Sequence, residues 1–217
     1  GISRRTKDRR RTSALYVRGQ ATRSLLGRRP RLPSGRLVHA IARVAPADLG
    51  NARRHPATIR RNAAMRSSDA GYDTPLVYEQ CARRGWTASH GSGQDGFYHI
   101  DNGRRTRRFV SKIEGAQAGS DGLKCAYFFF SNEGIKDKLA SLRQADAVPK
   151  WEVARDVSED YRKQMLSEMK KDVTNSKTKQ VEQRWVRIGG RPNHLWDCEC
   201  IALASAMLAG VLPIGEN

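Results

Sequence analysis

The chain has 217 residues and a formal net charge of +18, and its length allows one large domain or two small ones with a buried core. It has no apolar run of about 18 or more residues, which excludes a membrane-spanning helix, and no signal peptide is recognisable. Its four cysteines include no Cys-x2-Cys pair, and Cys198 and Cys200 would point in different directions on a helix, so reduced, buried thiols of a cytoplasmic protein are expected.

The positive charge is concentrated in residues 1–67. They hold 18 of the 40 Lys and Arg residues and two acids, which gives 18 − 2 = +16, whereas the remainder has 40 − 18 = 22 bases against 22 − 2 = 20 acids. Such a block favours nucleic acid as a partner, and a basic arm with no specific role is the alternative. Arg clusters interrupt every apolar run, a texture that suggests translation outside the parental reading frame. We therefore expect 1–67 to be a poorly patterned segment and 68–217 to form the folded domain.

From residue 68 onward the sequence predicts ordinary secondary structure. In chain order we expect a turn, a helix, a short strand, a flexible loop, a basic hairpin around Asn102-Gly103 and a second loop, at 69–73, 74–84, 86–89, 91–96, 97–110 and 115–122. Thr74 is the expected N-cap of the helix, with Pro75 at its first position and Gly85 after its end. The hairpin carries Arg104, Arg105, Arg107 and Arg108, which are candidates for contacts with nucleic acid.

The C-terminal half continues the alternation of strands and helices. We expect an aromatic strand at 123–130, helices at 135–143 and after Ser158, a strand at 181–188 and a last helix from Asn193. The helix after Ser158 should extend through an apolar stripe at four-residue steps, formed by Tyr161, Met165, Met169 and Val173. This alternation predicts a layered α/β fold.

The last predicted helix is apolar almost all round, and Asp197 lies in its first turn. A carboxylate on a buried helix must be paired, hydrogen-bonded or bound to a metal. The alternative is a solvated first-turn acid that the helix dipole favours. Asn193, just before the helix, is the expected N-cap.

Three carboxylates lie at the ends of predicted elements: Asp69 before a helix, Glu133 after the aromatic strand and Asp197 in the last helix. Acids that converge from such positions are what a Mg²⁺ or Mn²⁺ site for phosphodiester cleavage requires. His90 and His194 are weaker candidates, because such histidines more often lie at a surface or a helix end. A P-loop and a Gly-x-Ser-x-Gly motif are absent from the sequence, so P-loop nucleotide hydrolysis is excluded for it.

Three motifs occur in a recognisable order: Asp69–Tyr78 (DAGYDTPLVY), Ser131–Asp137 (SNEGIKD) and Asn193–Cys198 (NHLWDC). Together they resemble the C-terminal nuclease region of the large terminase subunit of lambda-like tailed phages, over about residues 68–217. The resemblance implies a ribonuclease H-like fold, a mixed sheet flanked by helices. It also implies a metal-dependent endonuclease that cuts concatemeric viral DNA during packaging in the host cytoplasm.

The resemblance assigns roles to individual residues. The acid of the family's Asp-x-Gly turn matches Asp69, and the acid of its C-terminal helix matches Asp197, so these two would hold Mg²⁺ or Mn²⁺. Lys136 matches a segment near the family's site, where it could meet backbone phosphate. Double-stranded DNA, the terminase small subunit and the portal are the implied partners.

The sequence departs from the family in its first residues. The family has a catalytic aspartate in an early Gly-Ile-Asp strand, whereas this chain has Ser3 there, with Lys7-Asp8-Arg9 after it. The strand that should lead into Asp69 also looks weak, and Glu133 could replace the missing acid only if it faced the other two. The family's ATPase motor does not appear in the sequence.

We therefore expect weak or no cleavage by this chain. The alternative from another class is a non-catalytic basic DNA-binding or scaffold-like protein, for which the basic segment and the basic hairpin are the warrant. A third interpretation is an unfolded gene remnant.

Overall fold

The structure is a computed structural model that describes residues 15–19, 39–42, 65–144, 146–147, 151–153, 155–210 and 212. For 15–19, 39–42 and Glu152 the description is limited to the backbone. Ser3 and the segment Lys7-Asp8-Arg9, on which the expected loss of activity depends, lie outside the described residues.

The described elements alternate as the sequence predicts. The helices are α1 (Thr74–Arg84), α2 (Asn132–Leu142), α3 (Glu159–Met165) and α4 (His194–Leu208). The strands are β1 (Leu15–Gly19), β2 (His39–Ala42), β3 (Arg66–Asp69), β4 (Thr87–Ser92), β5 (Phe97–Asp101), β6 (Arg104–Arg108), β7 (Glu114–Ala118), β8 (Leu123–Ser131), β9 (Trp151–Glu152), β10 (Glu168–Thr174) and β11 (Val181–Arg187).

In the described part of the chain, seven strands form one mixed sheet in the order β7-β8-β4-β3-β2-β1-β9. Strands β3, β4 and β8 run parallel to one another, while β2 and β7 run antiparallel to their neighbours. The pairs β5-β6 and β10-β11 form separate hairpins. Helix α1 packs on β8, β7 and β4, and α4 packs on β1, β2 and β3. The mixed sheet flanked by helices confirms the predicted fold class.

Helix α4 lies at the centre of the larger core. Its residues from Cys198 to Met207 are all buried, and Trp196, Ile201, Leu203 and Met207 are among the largest fully buried side chains. Phe128 of β8 and Leu139 of α2 join the same cluster. Because burial of such a side chain contributes about 1.5–3 kcal/mol, this helix carries much of the hydrophobic stabilisation. Among the described residues, no helix is both long and apolar enough to cross a membrane.

The N-cap of helix α1 is Asp73, one residue before the predicted N-cap Thr74. The Asp73 carboxylate, not Thr74, accepts the N–H of Leu76 at 3.2 Å, and Thr74 instead donates its hydroxyl to Ala70 O at 2.7 Å. Two side chains compete for the same cap, and the carboxylate wins because it accepts the stronger, charge-assisted hydrogen bond. The predicted end is confirmed, with Gly85 in the left-handed region at φ 63°.

Two stretches with little predicted strand character form strands. Residues 114–118, which overlap the predicted loop 115–122, form β7 at the edge of the sheet against β8. Residues 66–69, the weak segment before Asp69, form β3 inside the sheet, between β2 and β4. In both cases the ladder of a strong neighbouring strand overrides a low β propensity.

The helix after Ser158 is much shorter than its apolar stripe suggests. Ser158 caps it as predicted, but α3 ends at Met165. Met169 lies in β10, opposite Val186 of β11, and Val173 lies opposite Glu182. The four-residue spacing that suggests one helix is therefore a coincidence of a helix followed by a hairpin. Helix α2 also begins earlier than predicted, because Ser131 accepts the N–H of Gly134 and caps it.

Candidate functional site

Asp69 is the last residue of β3, and it lies inside the sheet beside Ser89 of β4. Its Oδ1 accepts the N–H of Gly71 at 3.0 Å, which closes the Asp-x-Gly turn. A side chain at position 71 would bring its Cβ within 3.3 Å of that oxygen, so glycine leaves the carboxylate uncovered. The turn thus presents Asp69 at the carboxyl ends of three parallel strands.

Asp197 lies in the first turn of α4, which packs against β3. The pKa of its carboxyl is raised from 3.8 to about 6, chiefly by burial. The charges of Glu168 and Asp69 contribute to this rise, while Lys136 and Arg187 oppose it. The sheet and the helix therefore bring Asp69 and Asp197, distant in sequence, close enough for their charges to interact.

Glu168, the first residue of β10, is a member of this site that the sequence did not single out. Its side chain is 5 % exposed and accepts a hydrogen bond from Lys136 Nζ at 2.6 Å. Its other oxygen accepts a hydrogen bond from Asn193 Nδ2 at 2.8 Å. The available sequence signal was a lone Glu in an apparently helical stripe, and only the start of a hairpin at this position brings it to Asp197.

Asn193 supports Glu168 instead of capping α4 with its side chain. It makes no side-chain cap bond; its Oδ1 accepts a hydrogen bond from Arg187 of β11 at 2.6 Å. The predicted N-cap position is therefore right and the predicted cap bond is wrong. The physical reason is competition, because a guanidinium is a stronger donor than the free amide of a first helical turn.

Lys136 of α2 is 14 % exposed, and its ammonium forms an ion pair with Glu168. Its charge also favours the ionised form of Asp197. The lysine that the sequence suggested as a phosphate contact thus lies among the acids of the site.

Glu133, the third acid that the sequence suggested, makes its hydrogen bonds to β11. Its two carboxylate oxygens accept the backbone N–H of Trp185 in β11, at 3.2 and 3.4 Å. The acids whose charges raise the pKa of Asp197 are Glu168 and Asp69. The arrangement therefore favours Glu168 over Glu133 as the third acid.

His90 lies in β4 next to Ser89, the residue that pairs with Asp69. Its Nε2 lies 3.0 Å from the hydroxyl of Tyr78, and its ring stacks on Phe129 at 5.0 Å between centroids. Burial lowers the pKa of this imidazole, and the charge of Asp69 acts in the opposite direction. This histidine, a weak candidate from the sequence, therefore lies within electrostatic reach of Asp69. His194 is the first residue of α4.

The four arginines of the basic hairpin lie on both faces of the β5-β6 ribbon. Arg104 and Arg105 are exposed, whereas Arg107 and Arg108 are half-buried. Arg108 donates to Asp101, and Arg107 donates to the carbonyl of Asp95 at 3.0 Å. The guanidinium of Arg105 lies 3.7 Å from the ring centroid of Tyr98. An open cleft of about 720 Å³, lined in part by Tyr98, Arg107 and Lys112, runs along the ribbon.

Within the described residues, no group of three or more His, Cys, Asp or Glu side chains has the arrangement of a ready metal cage. The acids at positions 69, 168 and 197 are related by their charges and not by a closed coordination shell. Like charges gathered in a partly buried place raise one another's pKa, and a cation relieves that repulsion. The donor set suits a hard divalent cation, which takes oxygen ligands.

A family model, the endonuclease domain of the terminase large subunit gpA, matches residues 50–214. The match includes Asp69, Lys136, Glu168 and Asp197, and it also includes residues 50–67 of the segment that the sequence marked as poorly patterned. No curated protein and no solved structure matches the chain.

Proposed function

This chain belongs to the family of terminase large-subunit gpA endonuclease domains, and from that membership we propose that it binds a divalent cation with Asp69 and Asp197 to cut duplex DNA. The family is that of lambda-like phage DNA packaging, so DNA is the substrate class. The terminase small subunit and the portal are the proposed partners, and the host cytoplasm is the proposed place of action.

One observation carries the proposal: the carboxyl of Asp197 has its pKa raised to about 6 by burial and by the charges of Glu168 and Asp69. Structural ion pairs normally lower the pKa of an acid, whereas a cluster of acids that awaits a cation raises it. When bound, Mg²⁺ or Mn²⁺ would polarise the scissile phosphate and activate water. Asp69, Asp197 and Glu168 would hold the ion.

The neighbouring side chains prepare the acids for this role. Lys136 and Arg187 keep Asp197 more ionised than burial alone would allow. Asn193 fixes one oxygen of Glu168, and Lys136 fixes the other. If substrate phosphate drew Lys136 away, Glu168 would be released toward a cation, which reconciles the predicted phosphate contact with the observed ion pair.

We further propose that cleavage by this chain is weak. The resemblance would put Ser3 at the position of the family's first aspartate, and loss of one ligand would weaken both ion binding and catalysis. The rate of cleavage and the binding of the ion are separate properties of the chain, so each is measured by its own experiment.

The first measurement is the melting temperature of the full chain with and without Mn²⁺. We expect Mn²⁺ to stabilise the wild type, because an ion that binds the folded state raises its stability by mass action. Asp197→Asn and Asp69→Asn should lose that response. Asp121→Asn is the matched control, because Asp121 is an exposed acid that pairs with Arg83. An equal response in all four proteins would contradict the site.

The second measurement is nicking of supercoiled plasmid with Mn²⁺, compared with Asp197→Asn. Slow nicking that disappears in the variant is expected. Robust nicking that disappears in the variant would support the nuclease and contradict the proposed weakness.

A non-catalytic DNA-binding protein is the second candidate, and the basic hairpin favours it. Salt-dependent DNA binding with no nicking, in the wild type and the variant alike, would favour this candidate.

A further inference from the structure

We propose that one face of the β5-β6 ribbon, formed by Tyr98, Ile100 and Arg105, is a docking surface for a groove of duplex DNA. This inference deepens the proposed function, because it states how the domain would hold its substrate and separates the arginines of the hairpin by role.

The strand register divides the ribbon into two faces. In an antiparallel pair, residues directly opposite each other point to the same side. Tyr98 lies opposite Arg107, and Ile100 lies opposite Arg105, so these four residues share one face. The other face carries His99 opposite Thr106, and His99 is 5 % exposed. The first face, here called the outer face, is therefore directed away from the body of the domain.

The inner face is committed to the fold. His99 Nε2 donates to the carbonyl of Val110 at 2.8 Å. Asp101 accepts from Thr106 at 2.7 Å and from Arg108. Arg108 therefore maintains the ribbon, and we assign it no contact with DNA.

The outer face exposes apolar surface beside a cation. Tyr98 is 62 % exposed and Ile100 is 72 % exposed. The guanidinium of Arg105 lies over the ring of Tyr98, 3.7 Å from its centroid, and this cation–π contact orients the guanidinium plane. The Arg105 side chain is exposed, so its N–H groups are accessible to a partner. Arg107 also donates to the Asp95 carbonyl, and it borders the cleft that continues from this face.

Charge decides the kind of partner. The outer face carries two arginines, Arg105 and Arg107, and no acid among its strand residues. A polyanion complements that charge, and the major groove of B-DNA is about 12 Å wide and accepts a two-stranded ribbon. Arg105 would meet phosphate or a guanine edge, while Tyr98 and Ile100 would contact sugar and thymine methyl groups. The competing hypothesis is that an acidic protein binds the same face.

The test is equilibrium binding of the full chain to a labelled duplex in EDTA, so that no cleavage occurs. We expect Arg105→Gln to lower the slope of log affinity against log salt by about 0.9, the share of one phosphate contact. Between about 50 mM and about 200 mM salt, its affinity should therefore fall about 3.5-fold less than that of the wild type. Tyr98→Ala should weaken binding several-fold at both salt concentrations.

Arg83→Gln is the matched control, because it removes the same charge from an exposed arginine. Arg83 lies on α1, where it pairs with Glu79 and Asp121. The +16 of residues 1–67 acts equally in both variants, so the comparison cancels it. Circular dichroism melts establish that each variant is folded. Equal slopes for Arg105→Gln and Arg83→Gln would overturn the inference, as would unchanged affinity in Tyr98→Ala that melts like the wild type.

The result is separable from the proposed function. DNA binding is measured without metal, so it does not depend on the ion that Asp69 and Asp197 are proposed to hold. Loss of the Mn²⁺ response in Asp197→Asn together with unaltered binding in both hairpin variants would reject the docking surface alone.

Discussion

Asp197 is a buried acid whose surroundings oppose its ionised form. Its carboxyl has a pKa of about 6 in the folded protein, above its ordinary value of 3.8. The folded state therefore binds this proton more tightly than the unfolded state does. Stability from this group is complete below pH 3.8 and is lost as the pH rises through about 6. At neutral pH the folded protein holds an ionised carboxylate in a place that opposes its charge.

We predict that Asp197→Asn raises the melting temperature at pH 7. A pKa that is about two units high corresponds to roughly 3 kcal/mol at most, and we expect the gain to reach a fraction of that. The gain should disappear between pH 6 and pH 4, where the wild type takes up its proton. In Asp121→Asn the sign should reverse, because Arg83 and Ser120 lower the pKa of Asp121. Thermal melts across this pH range measure both, and a lower melting temperature for Asp197→Asn at pH 7 would contradict the account.

Glu168 and Lys136 form a buried pair, and the two are predicted to be interdependent. Glu168→Gln leaves the Lys136 ammonium without its counter-charge, and loss of one member of such a pair destabilises by about 3–5 kcal/mol. Lys170→Gln is the control, since the pair of Lys170 with Asp137 is more exposed and should contribute little. Urea unfolding measures the difference. The variant should also lower the pKa of Asp197, because Glu168 raises it; an unchanged pKa would separate Glu168 from the site.

At the scale of single elements, local sequence signals correctly predicted helix ends and turns, which depend on hydrogen bonds between residues close in sequence. Helix α1 ends at Gly85 as predicted, and Asn102 and Gly103 both have positive φ, at 50° and 77°, as the two-residue turn of β5-β6 requires. Local signals failed where pairing with another strand determines the secondary structure. Met169 and Val173 fit a helical stripe, yet they pair across β10-β11. No local pattern contains that information, because the choice depends on residues 181–187.

We predict that Gly85→Ala shortens or loosens α1 at its C-terminus. Gly85 adopts φ 63°, and an L side chain there is strained by about 1 kcal/mol even though no neighbour lies within 4 Å. Gly115→Ala is the control, because Gly115 also has no neighbour within 4 Å but lies in β7 without a positive φ. The free energy of unfolding should fall for the first variant and not for the second. Equal effects would show that open space, and not backbone conformation, governs both positions.

At the scale of the whole molecule, the site depends on how α4 sits on the sheet. The sequence predicted Asp69 and Asp197 as acids, but it could not predict Glu168, because the start of β10 approaches α4 through tertiary packing alone. It also could not predict the contact of Glu133 with β11, where the backbone N–H of Trp185 donates a hydrogen bond to its carboxylate. Residue types and motif order thus suggest candidate acids, while the packing of helices on the sheet decides which of those acids lie near one another.

One buried contact joins the two elements that carry the acids, and it offers a test of this packing. Ser67 of β3 and Ser205 of α4 share a hydrogen bond of 3.0 Å between hydroxyls, and each residue is 1 % exposed. Either serine changed to alanine leaves the other hydroxyl buried without this partner, so we predict a loss of about 1–3 kcal/mol for Ser67→Ala or Ser205→Ala.

In the double variant both hydroxyls are gone, and we predict a loss smaller than the sum of the two single losses. Urea unfolding of the four proteins closes this double-mutant cycle. The Mn²⁺ response of the melting temperature should weaken in both single variants and in the double variant, because the contact positions β3 against α4 and so sets the spacing of Asp69 and Asp197. Additive losses, with a Mn²⁺ response unchanged in every variant, would mean that the acids are positioned independently of this contact.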